Sequence, residues 1–277
     1  TLNVVVSIKP IHSIVSILMD GIATPKLLLN SSNSAHTFHL KPSQIKMLSN
    51  ADLVITISDD FEIGLRKALK NINKASHLSI INLDQLKIHN SRGEEIYGLN
   101  EEHEEHNKFD LHLWLDVNNM QLIAKHISTL LIELDPVNAS RYSENFLKTH
   151  SELNKLKIEL QQQLAPFSST QYAIFADILQ YFEDSLQLSK PVIISPFHGA
   201  RLSIKRTLEA KKIIKDLNIK CLLYDSEIKA KQVQVLSEGL NLKVYKIDIL
   251  GNEFAPGQGQ YFNLMKKTSS QLSLCLK

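Results

Sequence analysis

Three segments of the sequence place a side chain that can bind a metal directly after a predicted strand. They contain His36 in SAHTFHLKPS, His112 in HLWLD and Asp248 in KIDILG. Imidazole nitrogen and carboxylate oxygen together form a ligand set suited to Zn²⁺ or another divalent transition metal. In open α/β sheets, ligands bind beyond the carboxyl ends of the strands. We therefore expect His36, His112 and Asp248 to converge on one cleft, although an isolated histidine is more often an ordinary surface or core residue.

The segment before His112 is the least globular part of the chain. Residues 90–110 are rich in glutamate, with His103 and His106 interleaved, and contain almost no apolar residues. Composition alone indicates a mobile, solvated loop. Because it leads directly into His112, it also fits a loop that gathers metal ions beside a site. Another histidine, His198 in SPFHG, follows a predicted strand and could face the same cleft. The remaining histidines considered are expected to be structural or exposed: His12, His77, His89, His126 and His150.

The sequence shows no recognisable catalytic constellation. It has no nucleophile signature of the Ser/His/Asp or Cys/His kind, no glycine loop after a strand that could cradle phosphate, and no zinc-protease helix motif. A hydrolase with an open zinc coordination position would need a general base, and Asp177 is the only nearby candidate. A binding protein is therefore favoured over an enzyme.

Composition places the chain among globular proteins with room for two domains. It has 277 residues, 43% hydrophobic and 22% charged, with a net charge of +2, which does not support a nucleic-acid or membrane-surface role. No apolar run approaches the roughly 20 residues needed to span a bilayer. The chain begins at Thr1, and we expect a mature chain whose leader has been removed, although a trimmed chain would look the same. Cys221 and Cys275 are compatible either with one disulfide or with two buried thiols.

Strand-like and helix-like segments alternate along the sequence. β-branched runs regularly followed by segments of helical period predict parallel sheets covered by helices. We predict an α/β fold of two lobes, each with a roughly four-stranded, mainly parallel sheet, joined by one long helix from Pro136 to Leu164. The predicted domains are an N-terminal metal-binding lobe (1–135), a linking helix (136–165) and a C-terminal lobe (166–277).

The whole sequence resembles the zinc-binding solute-binding proteins of bacterial zinc ABC importers, within the wider zinc/manganese receptor family. The motifs that carry the resemblance are SIKP near the start, AHTF and KPS around His36, NADLV, HLWL from His112, LAP, YFE and DILG from Asp248. Together these motifs are specific, although each alone would be weak.

The resemblance implies a role and a site. His36 and His112 fall on the first two metal ligands of the family, and Asp248 on the carboxylate that some members use as the fourth. Cys221 and Cys275 match a pair that forms a disulfide in some zinc members. The implied protein is a monomeric, non-enzymatic receptor, periplasmic or membrane-anchored outside the cytoplasm, that delivers Zn²⁺ to an ABC permease. The alternatives are an Mn²⁺ receptor, or a degenerate member that serves as a surface adhesin or interaction protein.

The sequence departs from the family pattern at Ala176. The family places its third ligand there, histidine in zinc members and glutamate in manganese members, and an alanine methyl group cannot bind metal. Water, His198 or Asp177 could fill the position. Alternatively, the affinity is lower, or the protein has another role. A site with three protein ligands and water is closer to a catalytic zinc site than to a closed one.

Overall fold

The computed structural model describes residues 1–30, 39–72, 77–92, 108–195 and 202–277. Four histidines with sequence-based predictions lie outside these ranges: His36, His103, His106 and His198. The predictions made for them stay predictions. The chain forms two compact units. Unit 1 contains residues 1–88, 116–157 and 250–264, and unit 2 contains residues 89–115, 158–249 and 265–277.

Unit 1 is built on a four-stranded parallel sheet. Its strands are β1 (Val4–Val6), β2 (Lys26–Leu27), β3 (Leu53–Thr56) and β4 (His77–Ser79), in the order β2-β1-β3-β4. β1 and β3 are fully buried, because central strands of a parallel sheet are covered on both faces. The helices are α1 (Lys9–Leu18), α2 (Pro42–Ser49), α3 (Arg66–Leu69), α4 (Val117–Leu134), the first part of α5 (Ala139–Leu164) and the start of the terminal helix α9 (Gln260–Leu276).

Unit 2 repeats this arrangement. Its strands are β5 (Ala173–Ala176), β6 (Val192–Ser195), β7 (Cys221–Asp225) and β8 (Lys243–Ile247), all parallel, in the order β6-β5-β7-β8. Its helices are α6 (Gln180–Ser185), α7 (Ile204–Asp216), α8 (Ala230–Ser237) and the later part of α9 (Gln260–Leu276). Ser203 caps α7 by accepting a hydrogen bond from the Arg206 N–H. Two four-stranded parallel sheets are therefore confirmed.

The predicted long helix is α5, which has 26 residues and a length of about 39 Å at 1.5 Å per residue. Its buried positions include Tyr142, Leu153, Leu156, Leu160 and Leu164, whose spacing places them on one face of the helix. Residues up to Lys157 belong to unit 1 and those from Ile158 to unit 2. One continuous helix thus contributes to both units, as the sequence predicted. The predicted domain bounds at 135 and 166 stay a prediction.

A disulfide joins Cys221 at the start of β7 to Cys275 near the end of α9, with a Cα–Cα distance of 5.1 Å. This confirms the pairing that the resemblance implied. Both residues belong to unit 2, so the disulfide fixes the terminal helix to the sheet of that unit. Among the described residues, no helix is both long enough and apolar enough to cross a membrane.

Candidate metal site

Each sheet has a switch point, where the chain leaves neighbouring strands towards opposite sides. In the order β2-β1-β3-β4 it lies between β1 and β3, and in β6-β5-β7-β8 between β5 and β7. Ligands of open α/β sheets bind in the crevice that opens there beyond the carboxyl ends of the strands. The side chains that follow β1, β3, β5 and β7 are therefore the first to inspect.

In unit 1 the switch point is occupied by a carboxyl group of the chain itself. Glu62 is fully buried. It accepts hydrogen bonds from the Ser7 hydroxyl at 2.6 Å, the Ile57 N–H at 2.8 Å and the Ser58 N–H at 3.0 Å. Burial raises the pKa of Glu62 to about 7, against the opposing effect of these three donors. Glu62 thus serves a structural role at this edge of the sheet.

In unit 2, His112 lies buried before a 3₁₀ turn at Leu113–Leu115. Its ring Nδ1 is 2.7 Å from the Asp110 Oδ1, and its backbone N–H donates to the same oxygen at 3.0 Å. The ring of Trp114 contacts the imidazole edge-on, with 5.6 Å between the ring centroids. A metal-binding histidine characteristically donates its second ring nitrogen to a carboxylate, which fixes the tautomer and the ring orientation. The contact with Asp110 therefore leaves Nε2 as the nitrogen suited to a metal.

The charges around His112 stabilise this arrangement. Burial tends to lower the pKa of His112, but the charge and hydrogen bond of Asp110 outweigh it and raise that pKa, with further contributions from Asp177 and Asp225. Burial likewise opposes ionisation of Asp110, yet His112, together with Arg92, holds the pKa of Asp110 below its usual range. The pair is thus an imidazole supported by an ionised carboxylate.

A second charged cluster lies directly after β5. The Arg92 guanidinium contacts both oxygens of Asp177, with distances of 3.1 Å from Nε to Oδ2 and 2.5 Å from Nη2 to Oδ1. Nη2 also donates to the Glu183 Oε2 at 2.8 Å, and the Tyr172 hydroxyl donates to the Glu183 Oε1 at 2.9 Å. Burial raises the pKa of Glu183 to about 7, although Arg92 lowers it. Asp177, which the sequence offered as a substitute ligand or a general base, is therefore held by an arginine.

Asp248 follows β8 at the same edge of the sheet. The Trp114 indole N–H donates to the carbonyl oxygen of Ile249 at 2.9 Å, so the segment after His112 contacts the segment after Asp248. Within the described residues, no three or more His, Cys, Asp or Glu side chains are arranged to hold a metal ion as they stand. The structure thus brings the segments of His112 and Asp248 together, while His36 lies outside the described ranges.

Sequence reasoning missed Asp110, Arg92, Glu183 and Asp225. Asp110 and Arg92 flank a segment whose composition is typical of a solvated, charged loop. The sequence therefore gives no indication that these two side chains are buried. The spacing Asp110-x-His112 was visible as a possible carboxylate–histidine pair. The partners of Arg92 lie 85 and 91 residues away, and no local pattern reveals such a contact.

A sequence profile of the family described as "Zinc-uptake complex component A periplasmic" matches residues 4–275. The chain belongs to this family. The high-affinity zinc uptake system protein of Brucella abortus (strain 2308) is 27% identical over 307 aligned residues, which cover 99% of this chain and 91% of the relative. The corresponding protein of Yersinia pestis is 23% identical, with the same coverage of both chains.

Solved structures of this kind share the fold. A crystal structure of the zinc-uptake component A superposes with a TM-score of 0.83 at 21% identity and covers both chains completely. An Mn-bound periplasmic metal-binding protein from Candidatus Liberibacter asiaticus superposes with a TM-score of 0.82 at 16% identity, also over both chains. The zinc-uptake component A family is a periplasmic, non-enzymatic part of metal import. This membership confirms the resemblance drawn from the sequence and the expectation that the chain is not an enzyme.

Proposed function

We propose that the chain captures Zn²⁺ outside the cytoplasmic membrane through His112, together with His36 and Asp248, and passes it to the permease of an ABC importer. The observation that carries this proposal is the Asp110–His112 contact of 2.7 Å, because a buried carboxylate that orients an imidazole is the support expected behind a metal ligand. We further propose a monomer that binds no nucleic acid, either soluble in the periplasm or anchored to the outer face of the membrane, with functional domains bounded at residues 135 and 166.

Zinc is bound here as cargo, so the site must both hold and release it. The raised pKa of His112 means that a proton competes with the metal for the imidazole, since only neutral imidazole donates to a metal. Metal affinity should therefore fall as the pH decreases through that raised pKa. No residue needs to act as a base on a substrate, and the carboxylate of Asp177 is held by Arg92.

Competition titration of the purified protein with a chromophoric zinc chelator tests the proposal. His112→Ala and His36→Ala should each weaken zinc binding by tenfold or more, because changing even the residues behind metal ligands costs about 10–100-fold. His150→Ala is the matched control, since His150 lies exposed on α5. If the parent protein binds no stoichiometric zinc, the receptor proposal is wrong; if His112→Ala binds like the parent, the site lies elsewhere.

Manganese is the second candidate cargo. Two carboxylates at this edge, Asp225 and Asp248, outnumber the single imidazole of His112 among the described residues, and oxygen-rich sites suit Mn²⁺. The same titration with Mn²⁺ as competitor measures the relative affinities of the site for the two metals. Zinc should displace manganese when both are present, because divalent affinities generally rise from Mn²⁺ towards Zn²⁺.

A further inference from the structure

We propose that Asp225 is a carboxylate ligand of the metal held by His112 and supplies the protein ligand that Ala176 cannot. This inference rests on the proposed function and adds a residue to its site. β5 and β7 are neighbouring parallel strands, in which Ala173 is paired with Leu222 and Ile174 with Leu223. Continued by two residues to the last residue of each strand, this register places Asp225 beside Ala176.

The register also determines that the side chains of Asp225 and Ala176 lie on the same face of the sheet. Side chains in a strand alternate between faces with a period of two, and residues in register on parallel strands share a face. Asp225 therefore projects to the same side of the sheet as Ala176. The two positions adjoin the switch point between β5 and β7, where open α/β sheets receive their ligands. A ligand lost from the end of one strand can thus be replaced from the end of the next.

The surroundings of Asp225 suit a metal ligand. Asp225 is only 4% exposed, and its charge acts on His112. Its Oδ1 accepts the Glu227 N–H at 2.7 Å, which fixes the start of the turn after β7. A carboxylate offers about four lone-pair sites, so this hydrogen bond is compatible with metal binding. On the far side of β7, Asp225 is paired with Ile247 of β8, and Asp248 is the next residue.

The other carboxylates described near this crevice have different tasks. Both oxygens of Asp177 contact Arg92, and Glu183 contacts Arg92 and Tyr172. Asp110 is hydrogen-bonded to Nδ1 of the His112 ring and orients it. Recruiting any of these would break a buried ion pair or remove the hydrogen-bond partner of a metal ligand. A carboxylate in place of a third imidazole also raises the share of oxygen ligands, which narrows the preference for zinc over manganese.

The test is zinc and manganese titration of Asp225→Asn. Asparagine keeps an oxygen that can accept the Glu227 N–H, so the turn and the fold should be preserved, and an unchanged melting temperature of the metal-free protein checks this. We expect zinc affinity to fall by tenfold or more, on the scale of about 10–100-fold for support residues. The matched control is Glu227→Gln, which removes the same charge from an exposed side chain two residues away and should leave affinity within about twofold of the parent.

A second variant separates a ligand from a structural residue. Ala176→His, added to Asp225→Asn, should restore zinc affinity, because the new imidazole would arise beside position 225 in the register. A purely structural role of Asp225 would not be rescued in this way. If Asp225→Asn binds zinc as tightly as Glu227→Gln does, the inference about Asp225 is wrong, but the proposal of a zinc receptor still stands. Failure of the receptor proposal itself looks different, because neither the parent nor any variant would then bind zinc stoichiometrically.

Discussion

Replacement of Arg92 by alanine is expected to destabilise the protein strongly. The Arg92 side chain is 12% exposed and its partners Asp177 and Glu183 are 8% and 3% exposed. The substitution would leave two buried carboxylates without their cation. Removing one partner of a buried ion pair costs about 3–5 kcal/mol, because the remaining charge is left without compensation. We expect a loss of this size at pH 8 in metal-free protein.

The loss should depend on pH in a defined direction. The pKa of Glu183 is raised to about 7 by burial, even though Arg92 lowers it. A carboxyl whose pKa is raised on folding contributes stability that is complete below its unfolded pKa of about 4.3 and is lost as the pH rises through the folded pKa. Without Arg92 that folded pKa rises further. The variant should therefore lose less stability at pH 5, where Glu183 can take up a proton, than at pH 8.

Urea unfolding at pH 5 and pH 8 in the presence of a chelator measures this effect. Arg66→Ala is the control, because Arg66 and Asp60 form an ion pair at 2.6 Å that is 47% and 59% exposed. Such surface pairs contribute about 0–1 kcal/mol. Adding Glu183→Gln to Arg92→Ala should recover part of the loss at pH 8. A loss below about 1 kcal/mol, or one that is equal at both pH values, would refute the reasoning.

Three further outcomes can be measured. Cys221→Ser with Cys275→Ser should lower the free energy of unfolding by up to about 4 kcal/mol, because the disulfide closes a loop across 54 positions; thiol titration of the unreduced, denatured parent should detect no free thiol. Glu62→Gln should reduce the fall in stability between pH 4.5 and 7, since burial raises the pKa of Glu62 to about 7; an unchanged slope in urea unfolding across that range would contradict this. In competition titration, Ala176→His alone should tighten zinc binding much less than it does in the Asp225→Asn background, because Asp225 already serves that position in the parent; an equal gain in both backgrounds would contradict this.

The strands were predictable because a parallel sheet buried on both faces leaves a strong signal. Runs such as VVV at Val4–Val6 and VIIS at Val192–Ser195 are apolar and β-branched. Residues 61–71, by contrast, do not form one regular helix in the structure. They contain a 3₁₀ turn at Ile63–Leu65 and the short helix α3. Glu62, just before this turn, bonds to the backbone N–H groups of residues 57 and 58, a local interaction that helical periodicity cannot represent.

The candidate site was predictable only where a residue carries its own signal. His112 stands out because the glutamate-rich segment leads directly into it, although an isolated β-bridge at Phe109 precedes it in the structure where a strand was predicted. Asp225 does not, because aspartate at the end of a strand is also the ordinary start of a turn, and here it does start one. Its proximity to Ala176 depends on the register between β5 and β7. The burial of Arg92 depends on partners far away in the sequence. The structure was therefore needed to recognise both the proximity of Asp225 to Ala176 and the buried ion pairs of Arg92.

The chain contains a single tryptophan, and its position has a practical consequence for optical spectroscopy. Trp114 is completely buried, contacts the His112 ring edge-on and donates to the backbone beside Asp248. All indole emission of the native protein therefore originates beside the candidate ligands, without labelling and without a background from other indoles. Changes in the intensity or wavelength of that emission during a metal titration report on this one location, and the unmodified protein serves as its own fluorescent probe.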